Sequence, residues 1–162
     1  MAPAGRSQAR GALSLRGRAL RFLARREHSR AELRRKLLTD DVDEAALDIL
    51  LDDLESKKLL SDKRFAEMLA QSKGTRYGVA SLSRVLNQQG VSAELAASTL
   101  APLRETERER ALALWRRRFS EPPSDIRARA RQHRFLLGRG FDAATVSWVL
   151  KRANKPAEDD SQ

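Results

Sequence analysis

The chain has 162 residues, no cysteine, 5% aromatic residues and a formal net charge of +10. Without a thiol there is no disulfide framework and no thiolate metal site, and no apolar run reaches the length of a membrane span. The excess of basic residues points to an anionic partner, either a polyanion or an acidic protein surface.

Residues 1–14 (MAPAGRSQARGALS) are basic and lack the apolar core of a signal peptide, so they read as a disordered lead to a soluble, cytoplasmic protein. The first helical block, Ala19-Leu20-x-Phe22-Leu23, returns as Phe65-Ala66-x-Met68-Leu69 and as Ala111-Leu112-x-Leu114-Trp115, each copy 46 residues after the one before. Loops of unequal length follow, carrying REHS, SKGTRYG and SEPPS. Ser29 and Glu32 have the spacing of a capping box for the next helix. In the second copy Ser61 or Asp62 can cap the helix carrying Phe65, and Tyr77-Gly78 makes the turn into a helix bearing Leu82 and Leu86.

A corner then recurs three times: KLLTDDVDEAALDIL (36–50), VLNQQGVSAELAASTL (85–100) and FLLGRGFDAATVSWVL (135–150). In each, Leu37, Leu86 or Leu136 is followed five positions later by Val42, Val91 or Phe141. Gly90 and Gly140, with Asp41 in the first copy, are placed to close the preceding helix in the left-handed conformation. Asp43, Ser92 and Asp142 are placed to cap the helix that follows. The apolar residue before each cap then meets Leu47, Ala96 or Val146 four positions into that helix, a hydrophobic staple.

No stretch alternates as a strand would. The pattern predicts an all-α fold, an elongated, curved tandem array of three three-helix repeats over residues 15–60, 61–103 and 104–152, with a disordered acidic tail at 153–162. Phe22, Phe65, Trp115, Phe135 and Trp148 are the expected large core residues. His28 and His133 have no second ligand at metal spacing and read as packing or surface residues; no metal or cofactor is expected.

Charge is unevenly spread. Residues 1–38 carry a net +9, residues 39–70 a net −6, residues 71–103 a net +2 and residues 104–162 a net +5. Two basic ends flank an acidic belt. In the first repeat Arg18, Arg21, Arg25, Arg30, Arg34 and Arg35 fall at helical steps. In the third, Arg116, Arg117 and Arg118 run together, and Arg127, Arg129, Arg131 and Arg134 mark the next helix. These are candidate contacts to phosphate or to acidic protein. Glu105, Glu107 and Glu109 are expected to pair locally with Arg104, Arg108 and Arg110. The helices after the corners begin Glu44-Ala45-Ala46, Ala93-Glu94-Leu95 and Ala143-Ala144-Thr145, too small, apolar or acidic to read base edges. GTRYG (74–78) lacks the ending of a phosphate-cradling loop, and no nucleophile–base pair is in evidence. The chain reads as a binding protein without catalysis.

Three stretches carry a more specific likeness. LARREHSRAELRRKL (23–37), LSDKRFAEMLAQSKGTRYGVASLSRVLNQQGVS (60–92) and RFLLGRGF (134–141) resemble, in order and spacing, the signature segments of the RecX family, bacterial regulators of the RecA recombinase. The likeness covers roughly residues 15–152. Family members usually have glutamate and lysine where this chain has Val85 and Gln89. The resemblance implies a monomeric inhibitor that binds RecA and its filament on single-stranded DNA, with weak direct DNA binding. It would suppress ATP hydrolysis, strand exchange and co-protease activity, and so bear on repair, recombination and the SOS response. Arg26 and Arg64, and also Arg76 beside Tyr77 and Arg139 within RFLLGRGF, join the candidates for partner or inter-repeat contact.

Overall fold

The computed structural model describes residues 13–155; the expected lead through residue 12 and the acidic residues 156–162 lie outside the described residues. Nine helices and no strand occur among them: α1 (Leu15–Arg25), α2 (Arg30–Leu37), α3 (Glu44–Ser56), α4 (Asp62–Lys73), α5 (Val79–Gln88), α6 (Ala93–Glu105), α7 (Glu107–Arg118), α8 (Ile126–Gly138) and α9 (Ala143–Ala153). The all-α helical repeat is as the periodicity indicates. The chain divides into two compact units, one ending at Ser61 and one beginning at Asp62.

In the first unit α1 starts where Ser14 Oγ accepts from Gly17 N, α2 where Ser29 Oγ accepts from Glu32 N, and α3 where Asp43 accepts from Ala45 N. Each side chain satisfies one amide that the helix leaves unpaired at its N-terminus. Leu33 and Leu37 on α2, and Leu47, Leu51 and Leu54 on α3, recur at three- and four-residue steps, so each helix turns one stripe inward. With Ala19 and Leu60 they form an aliphatic core, against which Phe22 and Val42 pack part-buried.

The first corner differs from the expectation. Asp41 does not take the left-handed conformation; among the described non-glycine residues only Lys58 (φ 57°) does. The reason is that α2 stops early. Leu38 is already extended (φ −72°, ψ 113°), and a turn closed by Val42 N donating to Thr39 O at 3.0 Å covers the distance to the cap. No single residue has to reverse the chain there. The left-handed position falls instead at the end of α3, where Leu59 N and Leu60 N both return to Leu54 O.

The second unit holds two apolar clusters, one from α4–α6 around Phe65, Leu82 and Leu86, the other from α7–α9 around Trp115, Leu136 and Phe141. Its corners are built as expected. Gly90 (φ 75°) and Gly140 (φ 86°) are left-handed, and Ser92 and Asp142 cap onto Leu95 N and Thr145 N. Of the expected large core residues, Phe65 and Trp115 are buried, whereas Phe22, Phe135 and Trp148 are only half-buried. Phe141 takes the place of a fully enclosed ring.

The two clusters are tied by contacts that periodicity does not reveal. Gly78 N, at the start of α5, donates to Arg139 O at 2.7 Å. A Cβ on Gly78 would lie 2.2 Å from Gly140 O, so two glycine turns pack backbone to backbone. Val79 N donates to Glu107 Oε1 at 2.9 Å. The half-buried Arg110 donates to Gly74 O, to Tyr77 O at 2.9 Å and to Leu103 O at 2.8 Å. The local Glu–Arg pairing expected over 104–110 is therefore replaced. Arg110 and Glu107 satisfy backbone groups at the two ends of the 74–79 segment, where a buried amide or carbonyl without a partner would be costly.

Candidate functional site

Folding redistributes the charge seen in the sequence. Half of the acidic belt, Glu44, Asp48, Asp52, Asp53 and Glu55, lies on α3 and pairs with basic residues of α1 and α2. Arg16 meets Asp53 at 2.6 Å, Arg30 meets Asp52 and Glu55 at 2.7 Å, and Arg34 meets Glu44 at 2.8 Å and Asp48 at 2.9 Å. Arg26 clasps the buried Glu32 through both guanidinium nitrogens, at 2.5 and 3.0 Å, and Lys36 reaches the same carboxylate at 3.0 Å. Burial opposes ionisation of Glu32, but the hydrogen bonds from Arg26 and Lys36, with the nearby charges of His28 and Arg26, prevail and hold its carboxyl at about 2. His28 is also buried. Its Nδ1 lies 3.0 Å from Arg26 O, its Nε2 lies 3.1 Å from Lys36 Nζ, and desolvation pushes it below the usual histidine range.

Residues 13–61 thus carry eleven basic groups against ten acidic, close to balance, while residues 62–155 carry nineteen against nine. The unbalanced charge belongs to the second unit.

There the candidates converge. Phe135, from the C-terminal half of α8, has Arg118 at 5.8 Å and Arg139 at 5.2 Å from its ring centre. Arg118 also stands 5.2 Å from Phe119, and Arg139 stands 5.1 Å from Tyr77. Phe119 and Phe135 meet edge to face at 5.4 Å, and Lys73 approaches Tyr77 at 6.0 Å. Arg117 Nη2 donates to Thr75 O at 2.9 Å, which brings the end of α7 to the α4–α5 loop, with the exposed Arg76 between Thr75 and Tyr77 in the chain. Arg118 and Arg139 therefore stand over three rings, with Arg117 and the exposed Arg76 on the adjoining segments, and none of the four has a carboxylate at ion-pair distance among the described residues. Ring quadrupoles hold guanidinium groups without neutralising them, so the cluster is ordered and still cationic.

The remaining candidates lie apart from it. Arg116 is exposed beside Arg117, and Arg127, Arg131 and Arg134 form an exposed row along α8 at helical spacing. Arg18 donates to Leu37 O at 3.1 Å, and Arg21 and Arg25 are exposed on α1. Arg35 is exposed on α2, and Arg64 is half-buried on α4. Arg26, Arg30 and Arg34 are committed to carboxylates. Lys73, Tyr77 and Phe119 were missed as members of a surface, and Phe135 was assigned to the core. The available signal was that rings are scarce here and several stand beside arginine in sequence, as in RRRF and RYG. No group of three or more metal-ligating side chains occurs among the described residues, and no helix there is long and apolar enough to cross a membrane.

Residues 16–54 match the family description RecX, first three-helix domain, and residues 105–150 match RecX, third three-helix domain. A regulatory protein RecX of Leptothrix cholodnii is 46% identical over 149 residues, 92% of this chain and 95% of that one. The chain belongs to the RecX family. The regulatory protein RecX of Ralstonia pickettii is similar to it at 44% identity, over 91% of this chain and 92% of its own length. In fold, the crystal structure of RecX from Lactobacillus salivarius superposes with a TM-score of 0.72 at 20% identity, over 86% of this chain and 94% of that one. The chain is accordingly a regulatory protein of RecX type, and the arginine–aromatic cluster lies largely within its third three-helix domain, with Lys73, Arg76 and Tyr77 contributed from the α4–α5 segment.

Proposed function

We propose that this chain binds the filament that RecA forms on single-stranded DNA and suppresses RecA's ATP hydrolysis, strand exchange and co-protease activity. Membership of the RecX family supports the regulator role. The observation that carries it to an anionic filament is the gathering of uncompensated arginines around Tyr77, Phe119 and Phe135. Arginine and tyrosine dominate the energetics of protein interfaces. Guanidinium groups already held over rings lose less freedom on binding than free ones do. A filament repeats its surface, so modest contacts from successive three-helix repeats add through effective concentration. The protein works as a monomer in the cytoplasm, without cofactor and without catalysis of its own.

The test is RecA's DNA-dependent ATP hydrolysis, with this chain added far below the RecA concentration after filaments have formed. Progressive loss of hydrolysis is expected. The net charge of +10 favours a second reading, phosphate binding with competition for DNA. Loss of hydrolysis only at amounts that coat the DNA, with a salt slope near −0.7 per phosphate neutralised, would establish that one instead.

A further inference from the structure

The second unit turns several of its acids onto its own backbone. Asp125 and Asp142 cap α8 and α9, accepting from Ala128 N and Thr145 N at 2.7 Å, and Glu107 accepts from Val79 N at 2.9 Å. Arg118 and Arg139, over the rings of Tyr77, Phe119 and Phe135, are left without a carboxylate at ion-pair distance among the described residues. The chain carries the opposite charge just beyond α9. Residues 156–162, outside the described residues, read PAEDDSQ, with Glu158, Asp159 and Asp160 and no basic residue. Arg139 immediately precedes the corner from which α9 leaves, and the eleven residues of α9 rise about 16 Å from that corner. From Lys155 to Asp160 an extended chain spans up to about 17 Å, so the acidic run is long enough to return there.

We infer that residues 156–162 dock back onto the arginine–aromatic cluster, with Glu158, Asp159 and Asp160 against Arg118 and Arg139, and screen it until a polyanion displaces them. On the reading that this cluster faces the filament, the dock regulates that same surface. Each exposed ion pair contributes little alone, but a short tether presents the carboxylates at an effective concentration in the millimolar range. Guanidinium groups held over rings offer them fixed, paired donors. The nearer cations Lys151 and Arg152 compete less well, because they sit in the last turn of α9, where the helix dipole already offsets part of their charge. Contacts of roughly millimolar affinity then cover the cluster for about half to nine-tenths of the time. Apparent affinity for a competing anion falls with the uncovered fraction, by about 2- to 10-fold. A repeating polyanion that engages several repeats at once tolerates that loss, and a single small anion does not.

The chain has no cysteine, so Ser161→Cys carries a nitroxide spin label at a single place. In the full chain without RecA, the backbone amide resonances around Tyr77, Phe119 and Phe135 should broaden at low salt. They should recover at about 1 M salt, where the Debye length is about 3 Å. Adding Glu158→Gln/Asp159→Asn/Asp160→Asn should abolish the broadening. Without the label, that triple variant should reach half suppression of RecA hydrolysis at about 2- to 10-fold less protein. All four substitutions lie beyond α9, so the helices keep their sequence. Absence of broadening overturns the inference, and so does broadening confined to Lys151 and Arg152. Broadening that requires the label and the observed amides to be on different molecules does the same, because the contact is then with a second copy. Unchanged potency of the triple variant rules out screening. A chain that suppresses hydrolysis but shows no broadening loses the dock and keeps its regulator role. One that broadens as expected but never suppresses hydrolysis keeps the dock and loses the filament reading.

Discussion

Gly78→Ala isolates the contact that joins the two three-helix sets of the second unit. Gly78 has φ −76°, an ordinary value, so alanine meets no backbone penalty there, and the smaller freedom of the unfolded chain would by itself favour the variant by about 0.4–1 kcal/mol. Against this, the new Cβ would lie 2.2 Å from Gly140 O, 2.3 Å from Gly140 C and 2.5 Å from Phe141 N. All three are backbone atoms of a corner anchored by Asp142 and by the buried Phe141, so no side chain can swing away. Relief requires the α5 start and the α8–α9 corner to separate. That strain costs about 1–3 kcal/mol, and the hydrogen bond from Gly78 N to Arg139 O contributes about 1 kcal/mol more. The expected net destabilisation is about 1–3.5 kcal/mol. Both tryptophans, Trp115 and Trp148, lie in this unit, so urea unfolding followed by tryptophan fluorescence reads it directly. A midpoint equal to or above that of the parent would refute the backbone packing described here.

Glu32→Gln tests the buried ion cluster of the first unit. A carboxyl held at about 2 rather than 4.5 stabilises the fold above the higher value and loses that contribution as pH falls toward the lower. At most about 3 kcal/mol is at stake, and urea midpoints from circular dichroism between those two pH values should fall more steeply in the parent than in the variant, where Asp48 and Asp53, also held low by Arg34 and by Arg16 with Lys57, still titrate. Lys58→Gly removes a Cβ from a left-handed position (φ 57°) and should stabilise the same unit by about 0.5–1 kcal/mol in the same assay. Reversing Arg116, Arg117 and Arg118 to glutamate together should weaken suppression of RecA hydrolysis without loss of helical signal. Full suppression by that variant would remove the third domain's cluster from the interface.

Local signals recovered most of the fold because they act over one turn of helix. Ser92, Asp142 and Asp43 cap where a short polar side chain precedes an apolar period, and Gly90 and Gly140 reverse the chain where a Cβ would be penalised. Asp41 was misread because the corner was aligned by its apolar residue, while the end of α2 depends on where Leu38 leaves the helix. Contacts between repeats were not legible. Gly78 resembles any turn glycine until Gly140 is seen against it, and Glu107 and Arg110 resemble a local ion pair until the 74–79 segment offers them backbone groups. The site was half legible: Arg117, Arg118 and Arg139 could be named from charge, but Tyr77, Phe119 and Phe135 take their place beside them only through packing.

The same logic explains why summed charge is a poor guide to where this protein meets an anion. The sequence places its strongest basic run in residues 1–38 and its weakest excess later, which points to the first repeat. Folding reverses much of that order, because the acids of α3 lie within reach of α1 and α2. A pair at about 3 Å cancels most of the field that either charge would project beyond a Debye length of about 8 Å. An arginine held over a ring keeps its whole charge. What an approaching polyanion meets is therefore the cluster at Phe135 and, in the first unit, the three arginines that α3 does not reach. Introducing one carboxylate beside that cluster, at an uncharged position, should weaken attraction more than replacing a paired arginine such as Arg34 by a neutral residue, although both changes lower net charge by one.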